Sequence, residues 1–157
     1  MTRRQTRIAR QWLIADHRLA DGLWNAVRKL PRGSGIIVIY RGLAKRDRAK
    51  LLGKLRRQAN LRNLTIIDER SGKAARIHNV RELRRAGLGR VPLLLLSPIF
   101  PTSSHPDWDP LPRMRAATLA RQSAVPVIAL GGMDERRFRR IEKLGFRGWA
   151  GIDAFRT

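Results

Sequence analysis

The chain contains no cysteine. That excludes a disulfide framework and a cysteine-based zinc site, and it makes a reducing compartment, the cytoplasm, the expected location. Acidic residues are scarce, with 12 Asp and Glu against 34 Lys and Arg, a formal charge of +22 over 157 residues. Aromatic residues make up only 6% and do not interleave with the basic ones to form a stacking platform for bases. Long hydrophobic runs are absent as well. The longest, residues 91–100, is strand-sized and holds two prolines, so no bilayer-spanning segment is expected. The first eleven residues are basic, but the apolar stretch Trp12, Leu13, Ile14 and Ala15 that follows is too short for a signal-peptide core. Residues 1–11 therefore read as a basic tail, and 12–157 as one domain, a length that suits a single core.

What is abundant is arginine. A surface so basic attracts polyanions, and a non-specific, salt-sensitive attraction to nucleic acid is expected. The basic residues are spread over every predicted helix instead of forming one stripe, which is the pattern of solvated helix faces.

Short apolar runs alternate with arginine-rich amphipathic segments. The runs at 12–15, 36–40, 64–67, 76–78, 93–96, 127–130 and 149–152 read as strands. Segments 19–30, 45–60, 79–88, 113–123 and 134–144 have apolar positions three or four apart and read as helices. In the last of these, Asp134 stands at the start, Phe138, Ile141 and Leu144 form the inward stripe, and Gly145 supplies the stop. Strands that alternate with helices predict a parallel α/β sheet, open or closed into a barrel. One interval breaks the rhythm. Only "DERSGKAA" lies between Ile67 and Arg76, too little for an ordinary parallel crossover. Either the two runs form a hairpin turning at Ser71 and Gly72, or one of them is not a strand.

In parallel α/β proteins ligands sit beyond the C-terminal ends of the strands. The residues there are Asp16, Arg41, Asp68, Glu69, Arg70, His78, Asn79, 102–105, Gly131, Gly132 and Asp153, a polar set that suits phosphate. The glycine pair after "VIAL" lets backbone N–H groups approach an anion closely, with a helix start behind it; taken alone, it also fits a tight strand-to-helix turn. His78 reads on its own as a structural histidine and Asp16 as a cap or ion-pair residue. Trp12, Trp24 and Trp149 read as core, whereas Trp108 within "HPDWDP" is placed to cover a pocket. The spacing of His17, His78 and His105 suits no transition-metal cluster.

Three motifs, "LLLLSPIFPTSSHP", "PVIALGGM" and "LGFRGWAGIDAF", resemble in order and spacing the closing third of thiamine phosphate synthase and its TenI relatives. Upstream, "QWLIAD", "IYRGL", "IIDER" and "ARIHNVRELRRA" are similar to that family's earlier segments. The resemblance implies a TIM-barrel-like (β/α) fold, here with about seven strands and one βα unit missing between Ile67 and Arg76. It implies condensation of a hydroxymethylpyrimidine pyrophosphate with a thiazole phosphate, giving thiamine phosphate and pyrophosphate with Mg²⁺. Catalytic roles fall to Arg41, Ser104 and His105. Thr102, Ser104 and His105 would face the pyrophosphate, and Gly131, Gly132, Gly151 and Ile152 the thiazole phosphate. Asp68 and Glu69 are what remains of the metal-binding acids. Arg76 stands where the family has serine, and Asp153 where it often has serine near the phosphate. The strand edges exposed by the missing unit favour a homodimer. A second reading keeps the phosphate cup as a binding module without turnover.

Overall fold

The computed structural model describes residues 7–156, so residues 1–6 of the expected basic tail lie outside the described residues. Seven strands are found among the described residues: β1 (Gln11–Ala15), β2 (Gly35–Val38), β3 (Thr65–Asp68), β4 (Ala75–Ile77), β5 (Leu94–Leu96), β6 (Val127–Leu130) and β7 (Gly148–Gly151). Every strand pairing is parallel, and the order across the sheet is β3-β2-β1-β7-β6-β5-β4. This is the curled sheet of a (β/α) barrel that stays open between β3 and β4. Those two strands are consecutive in the chain yet form opposite edges of the sheet. The interval from Ile67 to Arg76 is thus neither of the two expected alternatives. Both runs are strands, but they are not paired; a 3-10 turn at Glu69–Ser71 and a left-handed Gly72 (φ +69°) carry the chain across the gap.

Most strands are buried on both faces, as a parallel sheet covered by helices requires: β2 and β5 are buried at every position. The alternation of side chains can be read from the registers. Ile14, Ile37, Leu95 and Leu130 line the barrel cavity, so their register partners and next-but-one neighbours also face inward. Those positions are Trp12 and Ile14, Gly35 and Ile37, Thr65 and Ile67, Arg76, Leu95, Ile128 and Leu130, and Gly148 and Ala150. Arg76 is the one charged residue in this set. Trp12, 2% exposed, fills the lower interior, and Gly35 opposite is required by it. A Cβ there would stand 2.0 Å from the indole.

The helices pack on the outer face. α1 (Leu23–Lys29) follows a 3-10 turn at His17–Gly22 in place of one continuous helix over 19–30. α2 (Lys45–Arg62) buries Arg48, Leu52, Leu55 and Ala59, one face at helical spacing. It ends at Asn63 in the left-handed conformation, φ +54°. α3 (Val80–Leu88) starts at Asn79, whose side chain accepts from the Glu82 N–H at 2.9 Å. α4 (Arg113–Gln122) buries alanines and Leu119. α5 (Glu135–Arg139) is capped by Asp134 and is only five residues long. The expected helix over 134–144 breaks after it and resumes as a 3-10 turn at Glu142–Leu144 before Gly145, φ +108°. No helix among the described residues is long and apolar enough to cross a membrane.

Candidate functional site

At the C-terminal ends of the strands lies a cavity of about 770 Å³. It gathers residues separated by more than a hundred positions in the chain. Arg41, Glu69, Thr102, Ser104, His105, Gly131, Gly132, Gly151 and Ile152 all line it. Asp68 does not. Its strand parity turns it outward, beside Val38 in register, and there Arg48 from α2 clamps its carboxylate through both Nε and Nη2. The same guanidinium donates to the carbonyls of Tyr40 (2.6 Å) and Val38 (3.3 Å). Hydrogen bonds from Arg48, opposed by partial burial, hold the Asp68 carboxyl below its ordinary range.

The loop after β5 answers why a strand should run into two prolines, hydroxyls and a histidine. Ile99 and Phe100 donate to the carbonyls of Leu130 and Gly131 at 3.0 and 3.1 Å, so the loop lies directly on the end of β6. Glycine is necessary at 131 and 132 for that reason. Their φ angles are +98° and +58°, and a Cβ at Gly132 would stand 2.2 Å from the Pro101 carbonyl oxygen. The Gly132 carbonyl also accepts from Arg137, whose guanidinium sits over the Phe100 ring at 5.3 Å.

Further along, Ser104 N–H donates to Thr102 Oγ1 at 3.3 Å, and Ser103 donates to Asp153 Oδ2 at 2.8 Å. Asp153 is thus held by Ser103 and by Arg156 (3.4 Å). His105 stacks on Trp108 with ring centroids 4.3 Å apart, and His78 meets the same indole edge-on at 5.7 Å. Trp108 lines the cavity while remaining 48% exposed, so these rings form an aromatic wall at its mouth. His78 is oriented by Glu82, which accepts from its Nδ1 at 2.8 Å and its backbone N–H at 2.6 Å.

Sequence reasoning did not single out Arg18 or Arg137 as cavity residues. Arg18 pairs with Asp16, Nη2 to Oδ2 at 2.5 Å, and also donates to the Ser104 hydroxyl. It thereby ties the end of β1 to the loop after β5. The one signal in the sequence was its position two residues after a strand-end aspartate. With Arg41 and Arg76, four arginines line the cavity.

The carboxylates nearby are committed elsewhere. Asp16 pairs with Arg18, Asp68 with Arg48, and Glu69 with Arg41 at 3.5 Å. Asp134 accepts the Arg137 N–H at 2.7 Å as the cap of α5. Among the described residues no three His, Cys, Asp or Glu side chains come together as a metal centre. Mg²⁺ is held by one or two carboxylates together with substrate oxygens in near-octahedral geometry; of the two acids expected to hold it, Asp68 faces away from the cavity under Arg48 and Glu69 is paired with Arg41, so this donor set does not fit it.

The comparisons with known proteins agree with this architecture. The chain superposes on a thiamine phosphate pyrophosphorylase from Pyrococcus furiosus with a TM-score of 0.79 over 95% of this chain and 88% of that one, at 18% identity, a likeness of fold. A curated protein of Aquifex aeolicus (strain VF5), named "Putative thiamine-phosphate synthase 2", is 33% identical over 78 residues. The match covers 50% of this chain and 42% of that protein, so the chain matches less than half of the relative's length. The thiamine monophosphate synthase family model matches residues 73–155, the part that carries β4 to β7 and every cavity residue after the gap. On that match the chain belongs to the thiamine monophosphate synthase family.

Proposed function

We propose that the cavity takes a pyrimidine pyrophosphate and a thiazole phosphate and joins them to thiamine phosphate. The observation that carries this reading is the convergence of Arg41, residues 102–105, Gly131, Gly132, Gly151 and Ile152 on one cavity rich in arginine. In the reaction the bond between the pyrimidine methylene carbon and the pyrophosphate oxygen breaks, and its electron pair leaves with pyrophosphate. The thiazole nitrogen lone pair then forms the new C–N bond, so no proton need be removed. Charge builds on the departing oxygens, and catalysis asks for fixed donors there more than for a base. Arg41, Arg18, Thr102, Ser104 and His105 are those donors, and Trp108 with the histidines offers a flat wall to the heteroaromatic rings. Backbone groups at Gly131–Gly132 and Gly151–Ile152 receive the thiazole phosphate.

A second reading, ligand binding without turnover, is favoured by one observation, the acids that are tied up by arginines. One assay separates the two. Purified protein is given both substrates, and thiamine phosphate and pyrophosphate are followed. Product that disappears in Arg41→Ala and in the double variant Ser104→Ala/His105→Ala supports the first reading. Tight binding of thiazole phosphate with no product supports the second.

A further inference from the structure

Arg76 is anomalous among the strand residues. It lies in the middle of β4, in register with Leu95, and so projects into the cavity, half-buried and within the field of Glu69, Asp16, Arg41 and Arg18. The other arginines that line the cavity have partners within the fold: Arg18 has Asp16, Arg41 has Glu69, and Arg137 donates to the Gly132 carbonyl and sits over the Phe100 ring; outside the cavity Arg48 has Asp68. None of these ion pairs includes Arg76, and its Nε is buried without a hydrogen-bond partner among the described residues. Burial pushes the guanidinium below its ordinary value despite the pull of Glu69, and Arg41 and Arg18 add repulsion. An arginine stays charged under these conditions. The side chain is half-buried with its Nε shut off from solvent, and a donor left unpaired there is costly unless a ligand supplies an acceptor.

We propose that Arg76 is a binding residue for a phosphate-bearing ligand in this cavity, and that its fixed charge lets the ligand bind without a divalent cation. The proposal rests on the reading of the cavity as a site for phosphorylated ligands, and adds a residue and a charge mechanism to it. Two observations meet here. The acids that would hold a metal are neutralised by arginines, and an unpaired arginine faces the space where the anion sits. A guanidinium presents several N–H donors to phosphate oxygens and needs no metal to balance their charge.

The test is calorimetric titration of the whole chain with inorganic pyrophosphate, in EDTA and again with Mg²⁺. Salt is held near 0.3 M, where exposed charges are screened beyond a few ångströms. Binding in EDTA that Mg²⁺ does not strengthen is expected. Arg76→Met should weaken it ~10-fold or more, the loss of at least one charge-assisted hydrogen bond. Arg76→Lys should recover part of the affinity, and Arg84→Gln, on an exposed helix face, should leave it unchanged. Melting should show Arg76→Met as stable as the parent or up by roughly 2 °C, because a half-buried charge with an unpaired Nε is gone. If Arg76→Met does not fold, the parent's Mg²⁺ dependence and Arg76→Lys decide. Binding that requires Mg²⁺, unaltered affinity in Arg76→Met, or an equal loss in Arg84→Gln overturns the proposal while leaving the proposed function intact. No binding of pyrophosphate or thiazole phosphate under any condition overturns both.

Discussion

Arg48 and Arg76 stand on opposite sides of the gap in the barrel and meet burial in opposite ways. Arg48 comes from a helix, is 6% exposed, and spends its donors on Asp68 and two strand carbonyls. Arg76 comes from a strand, faces inward, and has no carboxylate. The first arrangement is closed, since every charge has its counterpart within the fold. The second is open, and its counterpart has to come from outside. A buried cation that is satisfied supports structure, whereas a half-buried one with an unpaired Nε keeps donors free for a ligand.

Breaking the closed side should have the largest effect. Arg48→Ala leaves Asp68 with an unpaired charge and frees the Val38 and Tyr40 carbonyls that receive it. Removing one partner of a fully buried pair costs about 3–5 kcal/mol, and because Asp68 keeps 20% exposure we expect about 2–3 kcal/mol, read as a fall in Tm of roughly 5–10 °C. An Arg48→Ala variant as stable as the parent would refute the contrast with Arg76.

Asp68→Asn is the gentler cut. It keeps an acceptor for Arg48 but removes the opposite charge, and should cost about 1–2 kcal/mol by denaturant titration at neutral pH. The sign of its pH dependence follows from the lowered Asp68 pKa. A carboxyl held below its ordinary value contributes stability above about pH 4, and that contribution is lost as pH falls through the lowered folded value. The difference between parent and Asp68→Asn should therefore shrink on acidification.

Much of the fold around these two arginines could be read from the sequence, and the part that could not has a physical reason. Strands were legible because parallel strands buried on both faces become unbroken apolar runs; "GIIV" and "LLL" admit little else. The missing unit was legible as an interval too short for a crossover. Its consequence was not, because a hairpin and two unpaired edges need the same number of residues, and only the long-range pairing of β1 with β7 decides between them. The cavity residues after β5, β6 and β7 were found because position at a strand end is enough to predict a site in such sheets. Arg48 and Arg18 escaped, since a helical or loop arginine in a chain with 34 basic residues carries no mark of what it will meet. Asp68 reads as a metal ligand beside Glu69, but strand alternation sends neighbours to opposite faces, and its outward turn to Arg48 emerges only from the register with Val38.

A third arginine tests whether burial, and not pairing alone, sets the scale. Arg10 reaches both Glu135 and Glu142 with 42% of its side chain exposed, and Glu135 also accepts from Trp149 Nε1 at 3.0 Å. Hydrogen bonds from Arg10 lower the Glu135 pKa to about 2, against a smaller opposing effect of burial. Solvent screening limits what such a pair contributes, so Glu135→Gln should cost about 1 kcal/mol or less at neutral pH. Because the folded value is depressed, its stabilisation is present above about pH 4.5 and is lost as pH falls towards 2. Unfolding free energy measured across that interval should fall less steeply in Glu135→Gln than in the parent. An equally steep fall would assign the acid limb to the other carboxyls held below their ordinary values, Asp68, Glu82 and Glu142.

The smallest effect on stability is expected at Arg41, and it sharpens the comparison most. Its side chain is 78% exposed and meets Glu69 only at 3.5 Å, so Arg41→Ala should shift stability by less than about 0.5 kcal/mol. Its effect on pyrophosphate affinity should be visible at low salt and should fade as salt rises, because an exposed guanidinium acts through a screened field whose reach falls from about 10 Å at 0.1 M to about 3 Å at 1 M. Arg76 is half-buried in the cavity wall with its Nε shielded from solvent, so the loss in Arg76→Met should persist to higher salt. Titrations of the two variants at low and high salt place each arginine on one side of that divide. Equal salt dependence would mean that both guanidiniums act through solvent.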